Sequence, residues 1–182
     1  PKQGLLTPDL FLPLAEKTGL IIPIGNWVIN EACRQLREWH LQGHQDWSMA
    51  VNLSTLQFEQ PSLVKTVLDC LERHQVPPEM LILEVTETTA MSNPDESVLV
   101  LTELTNAGVK ASIDDFGTGY SSLLYLKRLP ACELKIDRAF VKELSGESED
   151  ATIVSAIVAL AKTLNLKVVA EGVETEAQQT FL

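Results

Sequence analysis

The chain has 182 residues, about the size of one domain. Its 45% hydrophobic and 21% charged residues exclude a disordered, collagen-like or disulfide-scaffold protein. With 14 Lys and Arg against 25 Asp and Glu, the net charge of −11 disfavours a basic nucleic-acid groove, so no DNA partner is expected. A mean hydropathy of +0.07 and the lack of a long apolar run predict no membrane contact by this segment. Cys33, Cys70 and Cys132 match no metal motif and leave one thiol unpaired, which points to a reducing, cytoplasmic setting.

In chain order, Thr7-Pro8 predicts a helix start, with a hydroxyl at the N-cap and Pro at the first helical position. Residues 24–41 read as a long helix in which Ile24, Trp27 and Val28 are expected core positions and Cys33 a packing position, while His40 and His44 read as a solvated helix end. Strands are expected at 48–53, 80–85, 109–113, 133–136 and 167–170, with helical patterns between them. Asn93-Pro94 opens one helix, which Gly108 follows. Thr175 and Gln178 form a capping-box pattern for a last helix over 174–182. Residues 145–150 (SGESED) read as a polar turn, too short to link domains.

Alternating strands and helices predict an α/β fold with a parallel sheet, because parallel neighbours need crossover connections. A polar residue closes each apolar run: Asn52, Glu84, Asp114, Lys135 and Glu171, spaced by 32, 30, 21 and 36 residues. A strand-plus-helix unit takes roughly 30 residues, so the series marks one end of successive strands, the end where (β/α) barrels carry their chemistry. A TIM-type barrel is therefore expected, with an open doubly wound sheet as the lesser alternative because no Gly-rich first turn is present.

Glu84, Asp114, Asp115, Glu171 and Glu174 would repel one another if they converged uncompensated. Divalent cations resolve this. Oxygen donors, with the Asn52 amide, suit Mg²⁺ or Mn²⁺ better than zinc, and a pair of such ions is a standard device for phosphodiester hydrolysis. Lys135 adds a fixed cation. Each acid alone also fits turn or helix-terminus chemistry. The Asp115-Phe116-Gly117 triplet lacks the partners of a kinase site, and Gly117-Thr118-Gly119 lacks the ending of a P-loop.

The segments LTPDLFLPLAEKTGLI (6–21), AVNLS (50–54), LEVTE (83–87), IDDFGTGYSSLLYLKRLP (113–130), LKID (134–137) and VVAEGVET (168–175) together resemble the EAL-domain cyclic-di-GMP phosphodiesterases. The resemblance runs from Gly4 onward, in the family's motif order. It implies a single EAL-type domain over 1–182 in a barrel cut at both ends, with the Glu-Ala-Leu signature upstream of Pro1 and a closing strand beyond Leu182. It implies metal-dependent opening of cyclic di-GMP to linear pGpG by a water activated by two Mg²⁺ or Mn²⁺ ions, in bacterial second-messenger signalling. Asn52, Glu84 and Asp114 look like ligands of one ion, and Asp114, Asp115 and Glu171 like ligands of the other. Lys135, Glu171 and Glu174 would serve catalysis, with Lys135 at the attacking water or phosphate. Asp137 and Glu174 would shape the substrate region, and Glu87 would anchor loop 115–122. The resemblance also implies sensory or GGDEF-type neighbours in a longer protein, which other segments can attach to a membrane, and a possible homodimer. The alternative is a degenerate EAL domain that binds cyclic di-GMP, or a protein partner, without hydrolysis.

Overall fold

The computed structural model describes residues 4–119, 122–142, 144 and 148–182. The chain divides into two compact units, Pro1–Leu81 and Ile82–Leu182.

The first unit is mainly helical. Helix α1 (Pro8–Thr18) begins with Pro in its first turn, but Thr7 occupies the N-cap without a side-chain hydrogen bond, contrary to the hydroxyl cap expected. Helix α2 (Ile21–Leu41) starts a turn earlier than its pattern suggested, since Pro23 lies where helical N–H groups are still unpaired. Its buried stripe runs Ile21, Gly25, Ile29, Ala32, Cys33, Leu36 and His40. Trp27 and Val28, expected in the core, are 64% and 36% exposed: Gly25 and Ile29 carry the buried stripe here, and helical phase leaves Trp27 and Val28, which lie between them, outside it. Strand β1 (Met49–Leu53), α3 (Thr55–Phe58) and α4 (Leu63–His74) complete this unit, and α2 packs against all of these and α1. His40 is buried and its Nε2 lies 2.9 Å from the Trp47 carbonyl, so it is a core group and not a solvated end.

The second unit is a parallel sheet wrapped by helices. Strands β2 (Leu81–Thr86), β3 (Lys110–Phe116), β4 (Glu133–Ile136) and β5 (Lys167–Ala170) pair in parallel in chain order. Helices α5 (Glu87–Ser92) and α6 (Pro94–Asn106) cross from β2 to β3 and pack on β3. After α7 (Leu123–Leu126) and α8 (Arg138–Lys142), helix α9 (Glu149–Thr163) returns from β4 to β5. It buries Ala151, Val154, Ile157 and Ala161, one face at helical spacing. Helix α10 (Glu176–Phe181) has the capping box expected from Thr175 and Gln178. Of the polar turn expected at 145–150, residues 145–147 lie outside the described residues, while Glu149 and Asp150 form the first turn of α9, where their charge suits the helix dipole and Ser148 accepts from the Ala151 N–H.

Four alternating strands and crossover helices confirm the expected α/β class. The central strands are buried on both faces, one at Leu83, Val85, Ile113, Leu134 and Ile136 and the other at Glu84, Ser112 and Lys135, as parallel sheets covered by helices require. Among the described residues, no helix is long and apolar enough to cross a membrane.

Candidate active site

Each predicted polar residue lies near its strand end, and four of the five strands run on past it. Asn52 is followed by one more residue of β1, Glu84 and Asp114 by two more in β2 and β3, and Lys135 by one in β4, while Glu171 is the first residue after β5. Asn52 stands exposed on β1 in the first unit. The other groups belong to the second.

Sheet register explains how neighbouring acids share a site. On β3, Ile113 pairs with Leu134 and Phe116 with Ile136, so Asp114 and Asp115 occupy an interval where β4 has only Lys135. This is a bulge of two residues opposite one. In a regular strand adjacent side chains point to opposite faces, and one of these acids would be lost to the site. The bulge, together with a left-handed backbone at Asp115 (φ 52°), cancels that alternation. One oxygen each from Asp114, Asp115 and Glu171 lies within 4.8 Å of the others.

Lys135 is the counterweight. Its Nζ lies 2.7 Å from Glu171 Oε1, 2.9 Å from Glu84 Oε1 and 3.1 Å from Asp114 Oδ2. Burial alone would lower its pKa, but hydrogen bonds from the ammonium to Glu171, Glu84 and Asp114 overcome that and hold it above the ordinary lysine value. One ammonium cannot balance three carboxylates. The excess appears at Asp115, whose carboxyl is pushed up to about 6 by burial first, then by Asp114, a hydrogen bond with Asp137, and Glu171. Asp137 is half-buried, and its Oδ1 accepts the Ala139 N–H at 2.6 Å.

Glu87 is the first residue of α5, where the Thr86 hydroxyl caps the helix, and it is 1% exposed. Its Oε2 accepts the Gly117 N–H at 2.7 Å. Gly117 has a φ of 101°, and a Cβ there would sit 2.8 Å from Phe140 Cε2, so only glycine fits the turn beneath this bond. Tyr120 and Ser121, within the expected anchored loop, lie outside the described residues.

Glu174, expected beside the other acids, has an exposed side chain and is not among the three clustered carboxylates. Its backbone is fixed by Gln178, whose Oε1 accepts the N–H groups of Glu174 and Thr175 at 2.7 and 2.9 Å. The same amide donates from Nε2 to the Val141 and Lys142 carbonyls at 3.0 and 3.2 Å. Sequence pattern identified Gln178 only as half of a capping box. Its second pair of bonds reaches 36 and 37 residues back, a distance that no local signal encodes.

The cluster has the donors of a hard-cation centre: carboxylate oxygens and no sulfur or imidazole among its three members. Over its full length the chain is 66% identical to the bifunctional diguanylate cyclase/cyclic di-GMP phosphodiesterase MucR and 48% identical to the cyclic di-GMP phosphodiesterase NbdA, both of Pseudomonas aeruginosa. It spans 27% and 23% of the lengths of these curated relatives. The solved structure of the PaMucR phosphodiesterase in complex with c-di-GMP superposes with a TM-score of 0.97, covering 100% of this chain and 74% of that one, again at 66% identity. The family match, to the EAL domain, extends over residues 1–182. The chain belongs to the EAL domain family.

Proposed function

We propose that this chain hydrolyses cyclic di-GMP to linear pGpG with Mg²⁺ or Mn²⁺ held by its acidic strand ends, as one EAL-type domain of a longer, cytoplasmic or membrane-attached signalling protein with sensory or GGDEF-type neighbours. The observation that carries the reading is the crowding of Asp114, Asp115 and Glu171 within 4.8 Å of one another, with Lys135 paired to Asp114 and Glu171. These residues fit divalent cations: all three are oxygen donors, and the Asp115 carboxyl is pushed up to about 6 by burial and then by the neighbouring acids Asp114, Asp137 and Glu171. Substrate identity rests on the relatives, since MucR and NbdA carry cyclic di-GMP phosphodiesterase in their names.

In this reading Glu84 and Asp114 hold one ion, and Asp114, Asp115 and Glu171 the second. When bound, such ions polarise a phosphoryl oxygen and lower the pKa of water. Lys135, tethered by three carboxylates, keeps a fixed positive charge for a non-bridging phosphate oxygen or the attacking water as charge develops there. Glu84, Asp114 and Glu171 keep that ammonium protonated and oriented, so it acts as an electrostatic clamp and not as a base. Asp137 and Glu174 border the substrate, and Glu87 ties down the turn at Gly117, which follows the two aspartates.

The test is chromatography of the products when the full chain meets cyclic di-GMP with Mg²⁺, Mn²⁺, Ca²⁺ or chelator. Linear pGpG should form with Mg²⁺ or Mn²⁺ and not with chelator. Calcium, with longer bonds and looser geometry, should inhibit. Tight binding of the ring with no opening under any metal would make the chain a receptor and overturn the enzymatic reading.

A further inference from the structure

We propose that Gln178 is a positioning residue for the acidic site, holding the turn that carries Glu171 against the helix that follows Asp137. This rests on the metal-bearing reading above. Gln178 is 6% exposed although its neighbours Ala177 and Gln179 are exposed. Both ends of its amide are used, the oxygen on the Glu174 and Thr175 N–H groups and the nitrogen on the Val141 and Lys142 carbonyls. A capping box needs only the oxygen. The nitrogen reaches a different element, the C-terminus of α8, where intrahelical partners run out.

Helix α8 begins immediately after Asp137, one of the acids beside Asp115. The 171–175 turn meets this helix at a second place. Gly172 has a φ of 71°, and a Cβ there would sit 2.8 Å from Arg138 Cβ. The turn is therefore fixed to α8 at its beginning, by the close approach of Gly172 to Arg138, and at its end, by Gln178. One contact would leave a pivot, whereas two set an orientation. Glu171 adjoins the first of them, so its carboxylate is held at one position relative to Asp115 and Asp137. Only a side chain with a donor and an acceptor on one planar group can make the Gln178 link. Glutamate keeps the cap but turns an oxygen toward two carbonyls, and methionine keeps the volume but loses both links.

The experiment is Mn²⁺ binding to the full chain, read from the spin-resonance signal of free Mn²⁺, for wild type, Gln178→Glu, Gln178→Met and Gly172→Ala. Melting curves and the KM for cyclic di-GMP are measured in parallel. Ala161→Gly, a packing change inside α9, serves as a stability control. The positioning role predicts that the three site variants bind Mn²⁺ about tenfold or more weakly while folded, the size expected when a group that orients ligands is lost. It predicts KM at saturating Mn²⁺ within about twofold of wild type. Ala161→Gly should lower the melting temperature and leave Mn²⁺ affinity alone. Gln178→Glu is close in size, and Gly172→Ala lies on an exposed turn, so the test does not depend on Gln178→Met folding. Unchanged Mn²⁺ affinity in folded Gln178→Glu or Gly172→Ala would overturn the positioning role. Failure of wild type itself to bind Mn²⁺ would instead overturn the metal-bearing reading of the site.

Discussion

Both compact units bury polar side chains, and they bury different kinds. Among the described residues, the first unit encloses only neutral or weakly basic groups, His40 and Gln57, and the thiols of Cys33 and Cys70, whereas the second encloses, besides neutral groups such as Ser112 and Gln178, the charged side chains of Glu84, Glu87, Asp114 and Lys135. Burying an ion costs several kcal/mol unless it is paired and hydrogen-bonded, and an apolar core of the same volume would often be as stable or more so. The first unit follows that economy: Gln57 fits into the space left by Gly25, and its amide reaches the Asn26 side chain. The second departs from it, gathering three carboxylates on one ammonium with a further acid, Asp115, beside them. A fold has no structural reason to do this. Excess carboxylate at strand ends is what a cation-binding centre requires, and the contrast is the main physical argument for where function lies.

Substitutions should therefore split by unit. The largest effect is expected at Lys135. Lys135→Met leaves three carboxylates facing each other, and turnover of cyclic di-GMP should fall by about 10² or more. The metal-free protein should lose roughly 3 kcal/mol of stability in denaturant titrations, in part restored by Mn²⁺. Wild-type turnover would remove Lys135 from the mechanism.

Glu84 and Glu87 sharpen the contrast within the second unit. Glu84→Gln removes a carboxylate from Lys135 and from the assigned ion, so activity should collapse and stay low at high Mg²⁺. Glu87→Gln keeps a carbonyl oxygen for the Gly117 N–H, so activity should fall less and recover partly with excess metal, because metal binding and loop ordering are linked. Rate against Mg²⁺ concentration separates them, and superimposable curves would refute the division of roles.

In the first unit, Gly25→Ala should change stability alone. Its Cβ would meet Gln57 Oε1 at 2.1 Å, an overpacking cost of about 1–3 kcal/mol against a helical gain of about 1 kcal/mol. A net loss of roughly 1 kcal/mol, with Mn²⁺ affinity unchanged, is expected. The smallest effect concerns the thiols. Burial, with Cys70 nearby, pushes the Cys33 thiol up to about 12, and Cys33 is inaccessible, whereas Cys132 is half-buried. Alkylation of the native protein at pH 8 should modify Cys132 first and leave Cys33 untouched. Early labelling of Cys33 would mean that the first unit opens readily.

Much of this architecture was legible in the residues, because strands and crossover helices leave local signatures. Strands expected at 133–136 and 167–170 have those bounds, and the capping box at Thr175 and Gln178 is present. What failed was non-local. The strand expected at 109–113 runs on to Phe116, because the bulge that admits both aspartates depends on pairing with β4. Trp27 and Val28 were misplaced because hydrophobicity alone does not fix helical phase, and His40 because its partner carbonyl follows a turn after the helix. The acids could be named from spacing, but not the choice of Glu84, Asp114 and Glu171 as the three that hold Lys135, which tertiary packing decides.

The central claim, that the acids of the second unit form a divalent-cation centre, is tested most directly by calorimetric titration of Mn²⁺ at two pH values in buffers of different ionisation heat. Asp115, at about 6, is half-protonated near pH 6 in the metal-free protein and must lose that proton to bind a cation. Its raised pKa stabilises the metal-free fold fully below about pH 4, and that contribution is lost as pH rises through about 6, so affinity for the ion should climb over the same range. The account predicts saturable binding that releases protons at pH 6 and almost none at pH 8, abolished when Asp114 and Asp115 are both changed to Asn. Binding undiminished in that double variant, or no binding by the wild-type chain, would contradict it.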